Sequence, residues 1–134
     1  MNSARKGLNG DVAIDGKVAA NFQTFPLEFK EPYVKSLAAL KGKPFVEGVK
    51  SPAVYRLEVD ISGQPVDTYV RLDRWTKGNV FVNGFNAGRY YSVGPQRTLY
   101  IPAPLLMSGK NQISVFELHS AVDTIEFTDK PDLG

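Results

Sequence analysis

Along most of this chain, apolar and polar residues alternate in short runs broken by turn residues. The clearest run is Ala53 to Ile61. It sets Ala53, Tyr55, Leu57, Val59 and Ile61 on one face and Arg56, Glu58 and Asp60 on the other. A period of two is that of a strand buried on one face only. Ser62-Gly63-Gln64-Pro65 then turns the chain, and alternation resumes over Thr68 to Asp73 with Val70 and Leu72 inward. Val80-Phe81-Val82 predicts a strand, and Asn83-Gly84 directly after it predicts a hairpin. A type I′ turn needs positive φ at both central positions, which Asn-Gly accepts most readily.

Further strands are predicted over Thr98 to Ile101, Gln112 to Leu118 with Ile113 and Val115 inward, and Thr124 to Thr128. Near the start, Asp11 to Ile14 and Phe22 to Phe29 are expected to be strands, with Asp15-Gly16 a turn after the first. Tyr33 to Leu40 suggests a helix, which must end before Gly42 and Pro44. Leu40 to Ser51 reads as a flexible loop.

Seven or eight short strands, no α/β alternation and at most one short helix predict an all-β fold. The architecture expected is an antiparallel β-sandwich, either jelly roll or immunoglobulin-like. With 134 residues and no linker or internal repeat, residues 1–134 are expected to form one domain. A (β/α)8 barrel, which needs ~200 residues or more, does not fit.

Charge and composition narrow the function classes. Lys and Arg number 16 against 14 Asp and Glu, and Arg5-Lys6 is the one adjacent basic pair, so no nucleic-acid footprint is present. No apolar run approaches the ~18 residues of a membrane span, and the N-terminus lacks the apolar core of a signal peptide. That start looks cut from something longer. The absence of Cys removes disulfides and thiolate sites, and the single histidine, His119, makes a histidine-based metal site unexpected. No cofactor is predicted.

Catalytic signals are sparse. His119 ends a predicted strand, and no Gly-x-Ser-x-Gly elbow accompanies it. Glu117 shares the inward face of Ile113 and Val115. It is expected to be a structural carboxylate paired with Arg56 or Arg89, the alternative being a general acid of perturbed pKa. The stretch from Trp75 to Gln96 carries the one Trp together with Phe85, Tyr90, Tyr91, Asn83, Asn86 and Arg89. Rings that pack on a pyranose, with amides and a guanidinium for its hydroxyls, make a sugar site. On composition alone, sandwich core and turn are the favoured roles for these residues, ahead of a ligand site.

These residues also carry a resemblance. The run from Trp75 through Asn83-Gly84-Phe85-Asn86-Ala87-Gly88-Arg89-Tyr90-Tyr91 resembles the C-terminal β-domain of glycoside hydrolase family 35 β-galactosidases. That family has a Gly-Trp-x-Lys-Gly-x-Val-Trp-Val-Asn-Gly-x-Asn-Leu-Gly-Arg-Tyr-Trp motif there. The likeness continues through Gly94-Pro95-Gln96, Thr98 to Pro102, Leu105-Leu106, and Gly109 to Leu118. Arg5 to Leu8 and Phe127 to Pro131 resemble the family's entry and exit. Arg74 stands where the family usually has Gly, Phe81 and Tyr91 where it has Trp, and Ala87 where it has Leu.

The resemblance implies a galactose-binding-like jelly roll appended to a catalytic barrel whose two Glu residues hydrolyse terminal β-galactosides. No catalytic residue is then expected in this chain. The barrel is the partner implied, galactosides are a second, and the setting implied is periplasmic, extracellular or lysosomal. Two functions follow. A structural accessory domain would dock on the barrel through an exposed apolar patch. An autonomous carbohydrate-binding module would use Trp75, Asn83, Asn86, Arg89, Tyr90 and Tyr91, with at least two of them exposed in one concavity.

Overall fold

The computed structural model describes residues 9–26, 28–50 and 52–134. Arg5 to Leu8, which carry part of the resemblance, and Ser51 lie outside them. In chain order the strands are β1 Ala13–Ile14, β2 Lys17–Val18, β3 Ala53–Ile61, β4 Thr68–Arg71, β5 Lys77–Val82, β6 Phe85–Tyr91, β7 Thr98–Ile101, β8 Gly109–Glu117 and β9 Glu126–Thr128. A helix, α1, spans Glu31–Ala38, and a single 3-10 turn covers Ala103–Leu105.

Seven of these strands make the sandwich. β3, β8, β5 and β6 pair antiparallel in that order, and β7, β4 and β9 form the second sheet. The chain passes from sheet to sheet at nearly every connection, the wrapping expected of a jelly roll. Inward residues of both sheets meet in one apolar cluster that includes Val70, Leu72, Val80, Val82, Leu99, Ile101, Ile113 and Val115. Tyr55, Leu57, Val59 and Ile61 of β3 pack against it from the edge, as their alternation predicts. The Asn83-Gly84 hairpin has φ of +50° and +87° at its two central residues, as a type I′ turn requires.

Near the start of the chain, the structure differs from expectation. Asp15-Gly16 does turn the chain, but the strands around it are two residues each. Phe22 to Phe29 forms no ladder with any neighbour among the described residues. Pro26 lacks the donor that a ladder would use, and Phe25 is 84% exposed. Phe29 is docked, its ring 5.5 Å from Phe81 and 5.0 Å from Phe116 on the outer face of the larger sheet. That contact explains why Phe81, which points away from the core, is nonetheless buried.

The helix lies on the same outer face. It begins earlier than Tyr33 because Pro32 suits the first turn, where its missing N–H is not needed. It stops at Ala38, where the N–H groups of Ala39 and Leu40 tighten onto Ser36 and Leu37. Arg56, on the outward face of β3, donates to the carbonyls of Leu37 (3.4 Å) and Leu40 (2.6 Å). A cation on terminal helix carbonyls satisfies acceptors the helix leaves open. Among the described residues, no helix is long and apolar enough to cross a membrane.

Candidate functional site

The hairpin of β5 and β6 runs the length of the sandwich and separates the six predicted sugar-contacting residues. Trp75, just before β5, is 3% exposed; its indole N–H donates to the Thr124 carbonyl (2.8 Å). Asn83 sits at the far turn and is consumed there. Its amide donates to Leu105 O and Asn111 Oδ1, and its oxygen accepts from the Gln112 N–H. Asn86 accepts from the N–H of Gly88 and the amide of Asn79. Arg89 lies opposite Asn79, exposed on the outer face. Tyr90 points inward and is buried, whereas its neighbour Tyr91 is 42% exposed. Only Arg89 and Tyr91 of the six are exposed.

Trp75 and Tyr90 line different concavities. The larger is an apolar groove of about 1060 Å³ between β3, the segment after α1 and residues 122–125. Along its base, Phe45 packs on Tyr55 (5.7 Å), and Tyr55 meets Trp75 edge-on (5.3 Å, 88°). Leu40, Phe45, Val46, Val49 and Val54 are exposed around it.

The second concavity, about 340 Å³, lies at the end of the sandwich where β4 leaves, β6 arrives and the C-terminal segment returns. Tyr90 and Tyr91 line it with Gln96, joined by Arg71, Asp73, Arg74, Arg97 and Asp132. Arg71 Nη2 lies 3.3 Å from Asp132, and Nη1 lies 3.9 Å from Asp73. Lys77 Nζ stands 5.3 Å over the Tyr91 ring. Sequence reasoning singled out Tyr90, Tyr91 and Gln96 but missed the arginines and aspartates. Their signal was faint: Arg-Leu-Asp-Arg closing one strand and Gln-Arg opening another.

Glu117 lies behind this cavity wall, fully buried. Its carboxylate accepts from the backbone N–H of Thr76 (2.7 Å), Lys77 (3.2 Å) and His119 (2.8 Å), and from the Tyr90 hydroxyl (2.8 Å). The expected arginine partners are absent from that set. Arg56 is turned to the helix carbonyls and Arg89 to the outer face, both across the sheet from an inward residue. Backbone amides supply the donors because β5 begins and β8 ends beside Glu117. Sealed and fully bonded, the carboxylate has no open face for a substrate. It holds Tyr90 in the wall instead. Among the described residues, no group of three His, Asp or Glu side chains could hold a metal ion.

Burial, and next the hydrogen bond to Glu117, push the Tyr90 phenol far above its ordinary value of 10.0. The folded state therefore keeps a proton that the unfolded chain releases near pH 10. The stability this lends is complete below that pH and falls as pH rises beyond it. Tyr90→Phe should cost about 1.5–3 kcal/mol at neutral pH, and the deficit should narrow above about pH 10. Urea titrations at a series of pH values check this; a deficit that widened there would contradict it.

Residues 52–111 match the family described as "Beta-galactosidase, galactose-binding domain". The chain is 39% identical to human "Beta-galactosidase-1-like protein 2" over 134 residues, covering 100% of this chain and 21% of that protein. The chain belongs to the β-galactosidase galactose-binding domain family. It is also 39% identical to "Beta-galactosidase 17" of Arabidopsis thaliana, covering 92% of this chain and 21% of that one. Bovine "Beta-galactosidase" shares 35% identity over 94% of this chain and 23% of its own length. The chain thus spans about a fifth of these relatives, the remainder of which is other sequence.

This galactose-binding domain departs from the family motif at positions that its own packing explains. Phe81 keeps its aromatic contact under Phe29. Ala87 is the extra residue where the β5–β6 register shifts, and it packs on the core. Tyr91 retains a ring beside the cavity. Arg74 is different. Its φ is +68°, in the left-handed region where glycine is comfortable and another L-residue is strained by ~1–2 kcal/mol.

Proposed function

We propose that this chain is a non-catalytic accessory domain of a β-galactosidase, packing on and supporting the barrel that hydrolyses terminal β-galactosides. The observation carrying this reading is the apolar groove beside β3. Leu40 and Val46 stand 62% and 63% exposed there, and an open apolar surface of this kind is stabilised by a covering partner. The four-fifths of the relatives' length outside the matched segment supplies a candidate cover. Residues 1–134 would then be one domain among several.

The double substitution Leu40→Asp/Val46→Asp tests it. Produced with the catalytic barrel, the variant should lower the enzyme's melting temperature by several degrees and reduce its activity on a galactoside. The isolated chain should melt as before, since both side chains are already in water. An enzyme that melts and turns over like the parent would sink this reading.

A second reading, a carbohydrate-binding module for galactose-containing glycans, draws on the smaller cavity, where Tyr91 is the one of the six expected residues that is both exposed and part of the lining. A half-exposed Tyr91 beside arginine, amide and carboxylate groups has the mixed chemistry of a sugar subsite. Of the six predicted contacts, this reading retains Tyr90 as wall and Tyr91 as platform, with Arg89 on the adjoining face. Trp75, Asn83 and Asn86 act by holding the hairpin. Tyr91→Ala should abolish calorimetric heat from lactose.

A further inference from the structure

We infer that the cavity between Arg74, Arg97 and Tyr91 takes a glycan through an anionic substituent, a carboxylate or a sulfate ester on the sugar. The inference rests on the carbohydrate-binding reading of that cavity and adds the class of sugar.

Three guanidiniums, of Arg71, Arg74 and Arg97, line the cavity against two carboxylates, of Asp73 and Asp132. Both carboxylates face Arg71. Asp132 is further committed, since its side chain accepts from Gly134 N–H and its carbonyl from Arg97 and Thr98 N–H. Among the described residues, Arg74 and Arg97 have no ion pair, and both are exposed at the cavity. Two uncompensated guanidiniums at one small concavity favour an anion, and their planar forks match the oxygens of a carboxylate or sulfate.

Backbone geometry points the same way. The Trp75 N–H bonds to the Leu72 carbonyl (3.2 Å), closing a four-residue turn with Arg74 at its third position. There φ is +68°, which glycine would adopt without strain. A long cationic side chain held in that conformation, beside a cavity, is a strained feature of the kind that clusters at binding sites.

The remaining lining suits a sugar rather than a bare ion. Tyr91 offers ring surface, and Ser92 a hydroxyl. Gln96 donates its amide to Thr98 O (2.8 Å), which leaves its carbonyl oxygen as an acceptor. The Tyr90–Glu117 bond stiffens the wall behind them. At about 340 Å³ the volume lies at the small end of ligand sites and suits one sugar residue.

Calorimetric titration of the chain with galactose, galacturonic acid, galactose 6-sulfate and inorganic sulfate tests this. At least one acidic sugar should bind about tenfold or more tightly than galactose, a difference lost at high salt. Preference for galacturonic acid identifies a carboxylate, and preference for galactose 6-sulfate a sulfate ester. Arg74→Gly relieves the backbone strain, so it should melt no lower than the parent while losing most of that preference. Arg97→Gln should lose it likewise. Equal binding of galactose and both acidic sugars would overturn the anionic assignment and leave the carbohydrate reading standing. Absence of binding by any sugar at millimolar concentration would overturn both. Inorganic sulfate binding as tightly as the sulfated sugar, or Arg74→Gly keeping full preference, would also overturn the inference.

Discussion

Glu117→Gln is expected to destabilise the domain by about 3 kcal/mol or more, although it changes almost no volume. The carboxylate is fully buried and receives donors at both oxygens. Lys77 and His119 N–H meet one, while Thr76 N–H and the Tyr90 hydroxyl meet the other. An amide has one acceptor and one donor end, so either orientation of Gln sets its NH2 against a backbone N–H. That N–H is left unsatisfied at a site closed to solvent, and the interactions of its neighbours with a full negative charge are lost. Since a domain of this size is stable by ~5–15 kcal/mol, the loss is a large fraction of the total. Urea unfolding midpoints measure it. A cost under about 1 kcal/mol would mean that the carboxylate is dispensable.

Gly78→Ala should be comparably damaging, for a steric reason. Gly78 sits directly opposite Glu117 in the β5–β8 ladder. A Cβ built there would lie 1.7 Å from the Phe116 carbonyl oxygen and 3.0 Å from the Tyr90 hydroxyl. The first obstacle is backbone, so no side chain can swing aside. Two central strands must separate, and with them the Glu117–Tyr90 contact. A loss of at least ~3 kcal/mol is expected, beyond the usual cost of adding one methyl to a packed core. Loss of the cooperative melt by calorimetry is the readout; an alanine variant within a degree or two of the parent would refute this close approach.

How much of this was legible beforehand varies element by element. β3 coincides with its alternating run because one buried face and one wet face impose a period of two. β7 likewise has the expected bounds, and the Asn83-Gly84 turn needs only local φ preferences. Phe22 to Phe29 misled because apolar residues in an extended segment signal a strand only where a neighbouring strand offers a ladder. Here Phe29, half-buried, makes ring contacts with Phe81 and Phe116 instead of a ladder. Parity along β6 already separates Tyr90 from Tyr91, and the structure sends the first inward and the second outward. Trp75 lies in a turn, where parity has no meaning, so its place beneath the apolar groove was not readable.

The sequence by itself determined an all-β sandwich of short antiparallel strands, its hairpin turn, the inward placement of Glu117 and the likeness to one enzyme family. All of these depend on residues near one another in the chain or on many fixed spacings. Tertiary structure alone decided that Glu117 would be held by backbone amides rather than an arginine, because amides carry no side-chain signature. It also decided that loops around residues 72, 92, 96 and 132 would meet in one cavity. Those residues are far apart in sequence, and only the order in which the strands pair brings their ends together.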